Sequence, residues 1–267
     1  MYNLVRAEFY KLKCDKIYRI ILIITGILIL RCITLVIFKS TKTTIMQEGD
    51  GANTLGYIIN SFKDIKNPTV MEIFNSAQGF SPVLQILIMF FVTSFVLNEY
   101  NYGTFKNSIS VGSSRLKIYT SKLLTISFGI FIMNFFMLCG STLFGMIFCK
   151  ASGVFNNNTI LQMFKLIMLS WIVLTAMASL YMCFSIIIKS KSIILALGII
   201  TIIFEPVILA SKGFYKYGDY LLSFILMKIC SVQLYGQAIY NIVLTSIIWI
   251  IITSIIGIFI FRRQDVK

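Results

Sequence analysis

Few groups in this chain are able to do chemistry. Its 267 residues include no histidine, which removes the commonest general base and the commonest zinc ligand together. The six cysteines, Cys14, Cys32, Cys139, Cys149, Cys183 and Cys230, have no CxxC spacing and mostly lie in or beside apolar runs. They read as small buried hydrophobes rather than as a disulfide framework or a metal site. With no HExxH and no aspartate inside an apolar run, metalloprotease and aspartyl chemistry lack their residues. A serine nucleophile with a lysine base is compatible with the composition, but no apolar run brings the two together. GxxxxGK[ST] is also absent, so the chain has no phosphate loop through which to hydrolyse ATP.

Two charges stand inside apolar runs, Arg31 and Glu205. Each costs about 2.5–3.5 kcal/mol at the centre of a bilayer. Arg31 precedes Lys39 by eight residues and Glu205 precedes Lys212 by seven, which places both roughly 10–12 Å below the same surface at helical rise. Two readings stand side by side. Either the pair faces the bundle interior, interacting or lining a substrate path, or Arg31 snorkels outward while Glu205 is neutral or caps the break at Pro206. A secondary transporter driven by ions or protons would need such mid-membrane groups, and Glu205 is nearly the only candidate.

The elements that position these residues follow from composition. Apolar residues make up 58% of the chain and charged residues 13%, with a mean hydropathy of +0.87; a soluble domain needs more polar surface than that. At about 20 residues per crossing, six segments qualify as spans: 17–38, 83–97, 123–148, 164–188, 192–210 and 238–261. The net charge of +14 is gathered at the ends of these runs rather than on one face, which argues for lipid headgroups and against nucleic acid. Fourteen Lys and Arg fall in the N-terminal tail, the second–third connection, the Lys189-Ser190-Lys191 turn and the C-terminus, against nine in the opposite loops. The positive-inside bias therefore places both termini in the cytoplasm. On the outside, the loop 39–81 is expected to hold short helices. The segment 211–237 carries an apolar stretch, 220–230, too short to cross and suited to a re-entrant or interfacial helix if protein shields it.

Within residues 1–16, Tyr2, Leu4, Val5, Phe9 and Leu12 share one helical arc and Arg6, Lys11, Lys13 and Asp15 the other, with Glu8 and Lys16 intruding on the apolar side. That pattern fits an amphipathic helix along the inner headgroups; a basic leader that orients the first span is the alternative.

The connection 98–122 is the longest internal basic stretch. Glu99 opens it, followed by Gly103-Thr104-Phe105-Lys106, then Ser114-Arg115 and Lys122. Gly103 lets the chain turn, Thr104 offers an N-cap, and Gly112 ends the short helix between them, with Ser113 or Ser114 capping the next helix. That short helix is predicted over 105–110, with Phe105 and Ile109 at i and i+4 suited to a groove on another protein. An ordinary basic loop is the plainer reading. In its order of residues this segment resembles the type-2 ABC exporter permeases, where Val111-Gly112-Ser113 here replaces the Pro that many members carry before Ser-Arg. The Glu8-x-x-Lys11 core of the first helix, the six spans and the outer segment before the last span agree with that family. In size and outline the chain looks most like the small permeases of bacitracin- and lantibiotic-type resistance or immunity transporters.

The resemblance implies an all-α integral membrane protein of the bacterial plasma membrane, a single permease domain over 1–267. Residues 98–122 would contain the coupling helix, with Glu99, Gly103, Thr104, Phe105, Lys106, Ile109 and Arg115 at the contact with a separate ATPase subunit. It further implies two ATPase copies that bind ATP and Mg, a second permease chain identical or related to this one, no cofactor on this chain, and export of an antimicrobial peptide or amphipathic compound.

Overall fold

The computed structural model describes residues 2–38, 43–48, 55–62, 68–110, 112–149, 156–210, 215–231 and 236–264; within these, side chains at 36, 43–48, 55, 149, 205–210, 215–216 and 231 are not described. The first helix, α1 (Tyr2–Cys14), is followed after one residue by α2 (Lys16–Ile37). Asp15 separates them and starts the second: its Oδ1 accepts hydrogen bonds from the backbone N–H of Ile17 at 2.7 Å and Tyr18 at 3.4 Å, two of the donors a helix leaves unpaired at its start.

Next comes an antiparallel hairpin, β1 (Thr43–Glu48) and β2 (Leu55–Ile59), then α3 (Val70–Gln78), opened by a capping box between Thr69 and Glu72. The expectation of short helices in 39–81 is therefore half corrected. The strands are rich in Thr, Ile and Tyr and flank the turn-forming Asp50-Gly51 in sequence, a strand–turn–strand signal that prevails over helix here. Among the described residues the protein is otherwise helical, consistent with the expected all-α membrane class.

Helix α4 (Ser81–Asn101) leads to the short α5 (Thr104–Ser110), then α6 (Arg115–Cys149), α7 (Asn157–Ile188) and α8 (Lys191–Ala210). After a 3-10 turn, Tyr215–Tyr220, come α9 (Leu222–Ser231) and α10 (Gly236–Arg263). Five of these helices, α2, α4, α6, α7 and α10, are long and apolar enough to cross a membrane. The sixth expected span lies in α8, whose described side chains form a shorter apolar stretch, Lys191–Phe204, below that length. Helix α6, which holds the third expected span, begins at Arg115, eight residues ahead of the expected start, and α4 runs on to Asn101. The basic connection is thus no long loop: Arg115, Lys117 and Lys122 are helical, and only α5 with its two turns hangs between α4 and α6.

Helices α4 and α7 form the centre, packed on each other and flanked by α6, α8 and α10, while α2 lies on α6. Polar bridges tie the apolar helices together. Trp171 Nε1 donates to the Ser127 carbonyl at 2.9 Å, Asn134 Nδ2 to Ser170 Oγ at 2.8 Å, and the hydroxyls of Ser179 and Thr253 meet at 2.7 Å. Such bonds give apolar helices their register where hydrophobicity cannot distinguish lipid from protein.

Because the helices alternate in direction, the molecule has two unlike ends. One carries the hairpin, α3 and α9. Helix α9 is enclosed there by β2, α7 and α8, so its backbone is shielded by protein on nearly every side. Tyr57 clamps it, its hydroxyl donating to the Ser223 carbonyl at 3.1 Å while accepting from Gln85 Nε2 at 3.2 Å. The other end, which gathers α1, α5 and the ends of α4, α6, α7, α8 and α10, is the charged end.

Candidate functional site

At the charged end, four side chains from three elements close an alternating cycle of charge. Glu8 and Lys11 come from α1, Glu99 from the last turn of α4, and Lys122 from the third turn of α6. Lys11 Nζ lies 2.6 Å from Glu8 Oε1 and 2.9 Å from Glu99 Oε1. Lys122 Nζ lies 2.7 Å from Glu8 Oε2 and 2.8 Å from Glu99 Oε1. Lys122 has no exposed surface at all, and both carboxylates are buried. An isolated ion in such a place would be driven neutral; here two carboxylates and two ammoniums cancel within hydrogen-bonding distance, so each can stay charged.

Glu8 shows the balance. Burial favours its neutral form, but the ammoniums of Lys122 and Lys11 outweigh that and hold its pKa below the usual carboxylate value. For Lys11 burial again acts against the charge, and Glu8 with Glu99 overrides it and raises the pKa. The intrusion of Glu8 on the apolar arc of the first helix is thereby explained. That arc, with Leu12 buried and Phe9 edge-on to Phe128 at 5.1 Å, faces α6. Tyr2, assigned to the same arc from sequence, points away and is exposed.

The cycle is roofed by α5. Gly103 turns the chain out of α4 at φ +65°, a left-handed conformation that costs a side-chain-bearing residue about 1–2 kcal/mol. Thr104 is the first helical residue; its hydroxyl donates to the Glu99 carbonyl at 3.3 Å and so closes the preceding helix instead of capping its own. At the far end Gly112, at φ +86°, sends its N–H to the Ile109 carbonyl at 2.9 Å, and Ser113 N–H reaches the Ser108 carbonyl at 3.3 Å, a Schellman closure. Ser114 begins α6 through its carbonyl, which accepts from Ile118.

The orientation of α5 corrects the expectation for Phe105. Its side chain is 3% exposed and enters the chain's own bundle, with ring centroids 4.7 Å from Tyr100 and 5.3 Å from Phe261. The rings of Phe95 and Phe105 lie 4.6 and 5.4 Å from the Lys122 ammonium, a cation–π cover that closes the buried charge from above. Ile109 is half-buried, and the face left open carries Lys106, Asn107 and Ser110.

Arg115 turns inward too. Its Nη1 is within 2.6–2.7 Å of the carbonyl oxygens of Phe261, Arg262 and Gln264, where it caps α10 and sits at the negative end of that helix. Gln264 in turn donates to the Ile186 carbonyl at 2.9 Å, and Lys191 to Asn98 Oδ1 at 2.8 Å. The ends of α4, α7, α8 and α10 are thus laced to the α5–α6 junction. Arg115→Gln is expected to lose about 1.5–3 kcal/mol of charge-assisted bonding, seen as faster hydrogen exchange at residues 260–264 with the middle of α10 unchanged. Equal exchange in both proteins would refute the capping role.

Of the two charges expected within the spans, Arg31 does not join this site. Arg31 lies on the exposed face of α2, directed away from the bundle rather than into it, and the Glu205 side chain lies outside the described residues. Among the described residues no group of three His, Cys, Asp or Glu could hold a metal ion.

Sequence reasoning had singled out all four members of the charge cycle but not their meeting, since Glu8 and Lys122 are 114 positions apart. The available signal was Glu8 itself, a carboxylate on an apolar arc with a lysine three residues on. A family model described as ABC-2 family transporter protein matches residues 4–207 of the chain, a stretch that holds the whole charge cycle and α5. Comparison with curated proteins finds no match.

Proposed function

The chain belongs to the ABC-2 family of transporter proteins, and on that premise we propose that it is the membrane half of an ATP-driven exporter, moved by an ATPase that is a separate polypeptide. In this reading α8 completes a set of six crossings, the charged end faces the cytoplasm with both termini, and α5 is the coupling helix. Two permease chains, identical or related, form the pathway and engage two ATPase copies, which bind the ATP and Mg. The chain itself is non-catalytic. The cargo class that suits its apolar helices is an amphipathic compound or antimicrobial peptide, as in bacitracin- or lantibiotic-type protection of a bacterial plasma membrane.

The observation that carries this reading is the roofed charge cycle. Helix α5 has seven residues, too few to hold a position by itself. Through Phe105 it is fastened to α4, α10 and the Lys122 ammonium, and through Lys122 to α1. A push on α5 cannot remain local: it must move α4 and α6, between which it is strung, or break the cycle. This is the linkage that nucleotide-driven closure of a partner requires. The buried Phe105 leaves the partner contact to the open face, Lys106, Asn107 and Ser110, with the exposed Tyr102 beside it.

The test is purification of the tagged chain from native membranes. A soluble ATPase is expected to accompany it, and Lys106→Glu with Asn107→Asp is expected to lower that yield by about tenfold or more, a loss of ~1.4 kcal/mol or more in association. Recovery of the intact permease with no ATPase in any detergent tried would remove the reading.

A further inference from the structure

Helix α1 has a second face, which the charge cycle does not use. Tyr2, Arg6, Tyr10 and Lys13 are exposed along it, the two tyrosines at 77% and 71%, and no acidic residue interrupts it. Lys16 and Arg19 continue the basic arc onto the start of α2. Of the acidic groups nearest in sequence, Glu8 is held in the cycle on the other side of α1, and Asp15 has its carboxylate engaged by the N–H groups of Ile17 and Tyr18. The Arg19 guanidinium donates to the Cys14 carbonyl at 3.0 Å, so among the described residues it is the cation of the four already committed within the chain. Directly beyond this arc, α2 exposes Ile20, Ile23, Ile27 and Leu30, an apolar stripe at helical spacing that is fit for acyl chains. An exposed row of cations and tyrosines that runs directly into a bare apolar stripe is the pattern a headgroup zone selects.

We propose that Arg6, Lys13 and Lys16 form a binding site for an anionic phospholipid headgroup in the leaflet at the charged end, and that the lipid held there loads the charge cycle from outside. The inference rests on the reading of the charged end as a membrane interface. Its mechanical part follows from α1 alone: the helix that offers Arg6 and Lys13 to the lipid carries Glu8 and Lys11 on its other side, in bonds to Lys122 and Glu99. An anionic headgroup draws α1 toward the membrane plane, and the cycle transmits that pull to the root of α5.

The experiment uses the full chain in mixed micelles with spin-labelled phosphatidylglycerol or phosphatidylcholine, and compares the fraction of each that is immobilised. Each Lys or Arg near such a surface contributes roughly a fivefold preference, so the wild type is expected to favour phosphatidylglycerol by on the order of tenfold or more. Arg6→Gln with Lys13→Gln and Lys16→Gln is expected to bring the ratio to within about twofold of unity with an unchanged melting curve, because these side chains are exposed and outside the cycle. A matched variant losing three exposed cations elsewhere at the same end, Lys106→Gln with Lys117→Gln and Arg262→Gln, is expected to keep the preference. The proposal is overturned if the wild type shows no preference, if both triple variants lose it alike, or if soluble glycerol phosphate displaces the lipid at equal concentration. Loss of ATPase co-purification in the first triple variant, without any lipid preference in the wild type, would assign the face to a protein partner and overturn it as well. No arm measuring lipid requires an ATPase, so the result stands apart from the exporter reading.

Discussion

Lys122→Met is expected to destabilise the folded protein by about 3–5 kcal/mol, because it leaves two carboxylates buried with one half-exposed ammonium between them. Glu8 and Glu99 both rely on Lys122 for a contact under 3 Å, and neither can turn to water without dragging α1 or α4 off α6. The measurement is the thermal melt of the detergent-purified protein, with yield as a second index. The informative variant is the double, Lys122→Met with Glu8→Gln, which removes one charge of each sign and leaves Lys11 paired with Glu99. It is expected to recover much of the loss, since neutralising both partners of a buried pair costs far less than orphaning one. A double variant no better than the single would mean that Lys122 matters through its packing against Phe95 and Phe105, and the electrostatic account would fall.

The same cycle predicts the response to pH. The folded pKa of Glu8 is depressed, so its contribution is complete above the unfolded carboxylate range and is lost as pH falls through the folded value. That of Lys11 is raised, so its contribution is complete below the ordinary lysine value of 10.5 and fades only as pH rises beyond it. Stability from the cycle is therefore flat across the neutral range and gives way in acid below about pH 4. Glu8→Gln should flatten its share of that acid limb.

The second large effect is at Phe105. Phe105→Ala is expected to cost about 3–5 kcal/mol, expressed mainly as release of α5. The variant removes the ring between Tyr100 and Phe261 and uncovers the Lys122 ammonium. Amides of residues 104–110 should exchange much faster, while those in the centre of α7 change little. Phe105→Leu should restore most of the protection. On the exporter reading proposed above, a complex of the alanine variant with an ATPase is expected to hydrolyse ATP yet fail to transport, because a push on α5 would reach a helix no longer fastened to the bundle. Lys106→Glu should do the reverse and lose the ATPase while α5 stays protected. Unchanged exchange at 104–110 in Phe105→Ala would show that the helix is held by something else.

What could be read without coordinates was whatever a short window of residues determines. Apolar runs of the length a bilayer demands led to five helices long and apolar enough to cross one, because only a helix satisfies the polar groups of a single segment in lipid. Gly103 and Gly112, two residues able to reverse the chain at positive φ, bracketed α5. The Lys189-Ser190-Lys191 turn was equally local, with Lys189 in the left-handed region closing α7. Errors arose where local rules competed. The hairpin signal around Asp50-Gly51 competed with the expectation of short helices, and the strands prevailed. The third span is expected to start at Leu123, where the run free of charge begins, although a helix can run on through Arg115, Lys117 and Lys122 in front of its apolar part.

Which way a side chain points, and what it meets, was a different matter. Phe105 on a seven-residue helix, Arg31 on a helix apolar nearly all round and Glu8 on an amphipathic one have no orientation until other helices pack on them. Tertiary structure turned Phe105 inward, Arg31 outward, and Glu8 toward a lysine 114 positions away. The physical reason is range. Hydropathy, capping and turn chemistry act within a few residues, so the sequence by itself determined the helices and their punctuation. The cancellation of buried charge acts across helices, so only the packed bundle could decide that four scattered ions form one neutral cycle beneath α5.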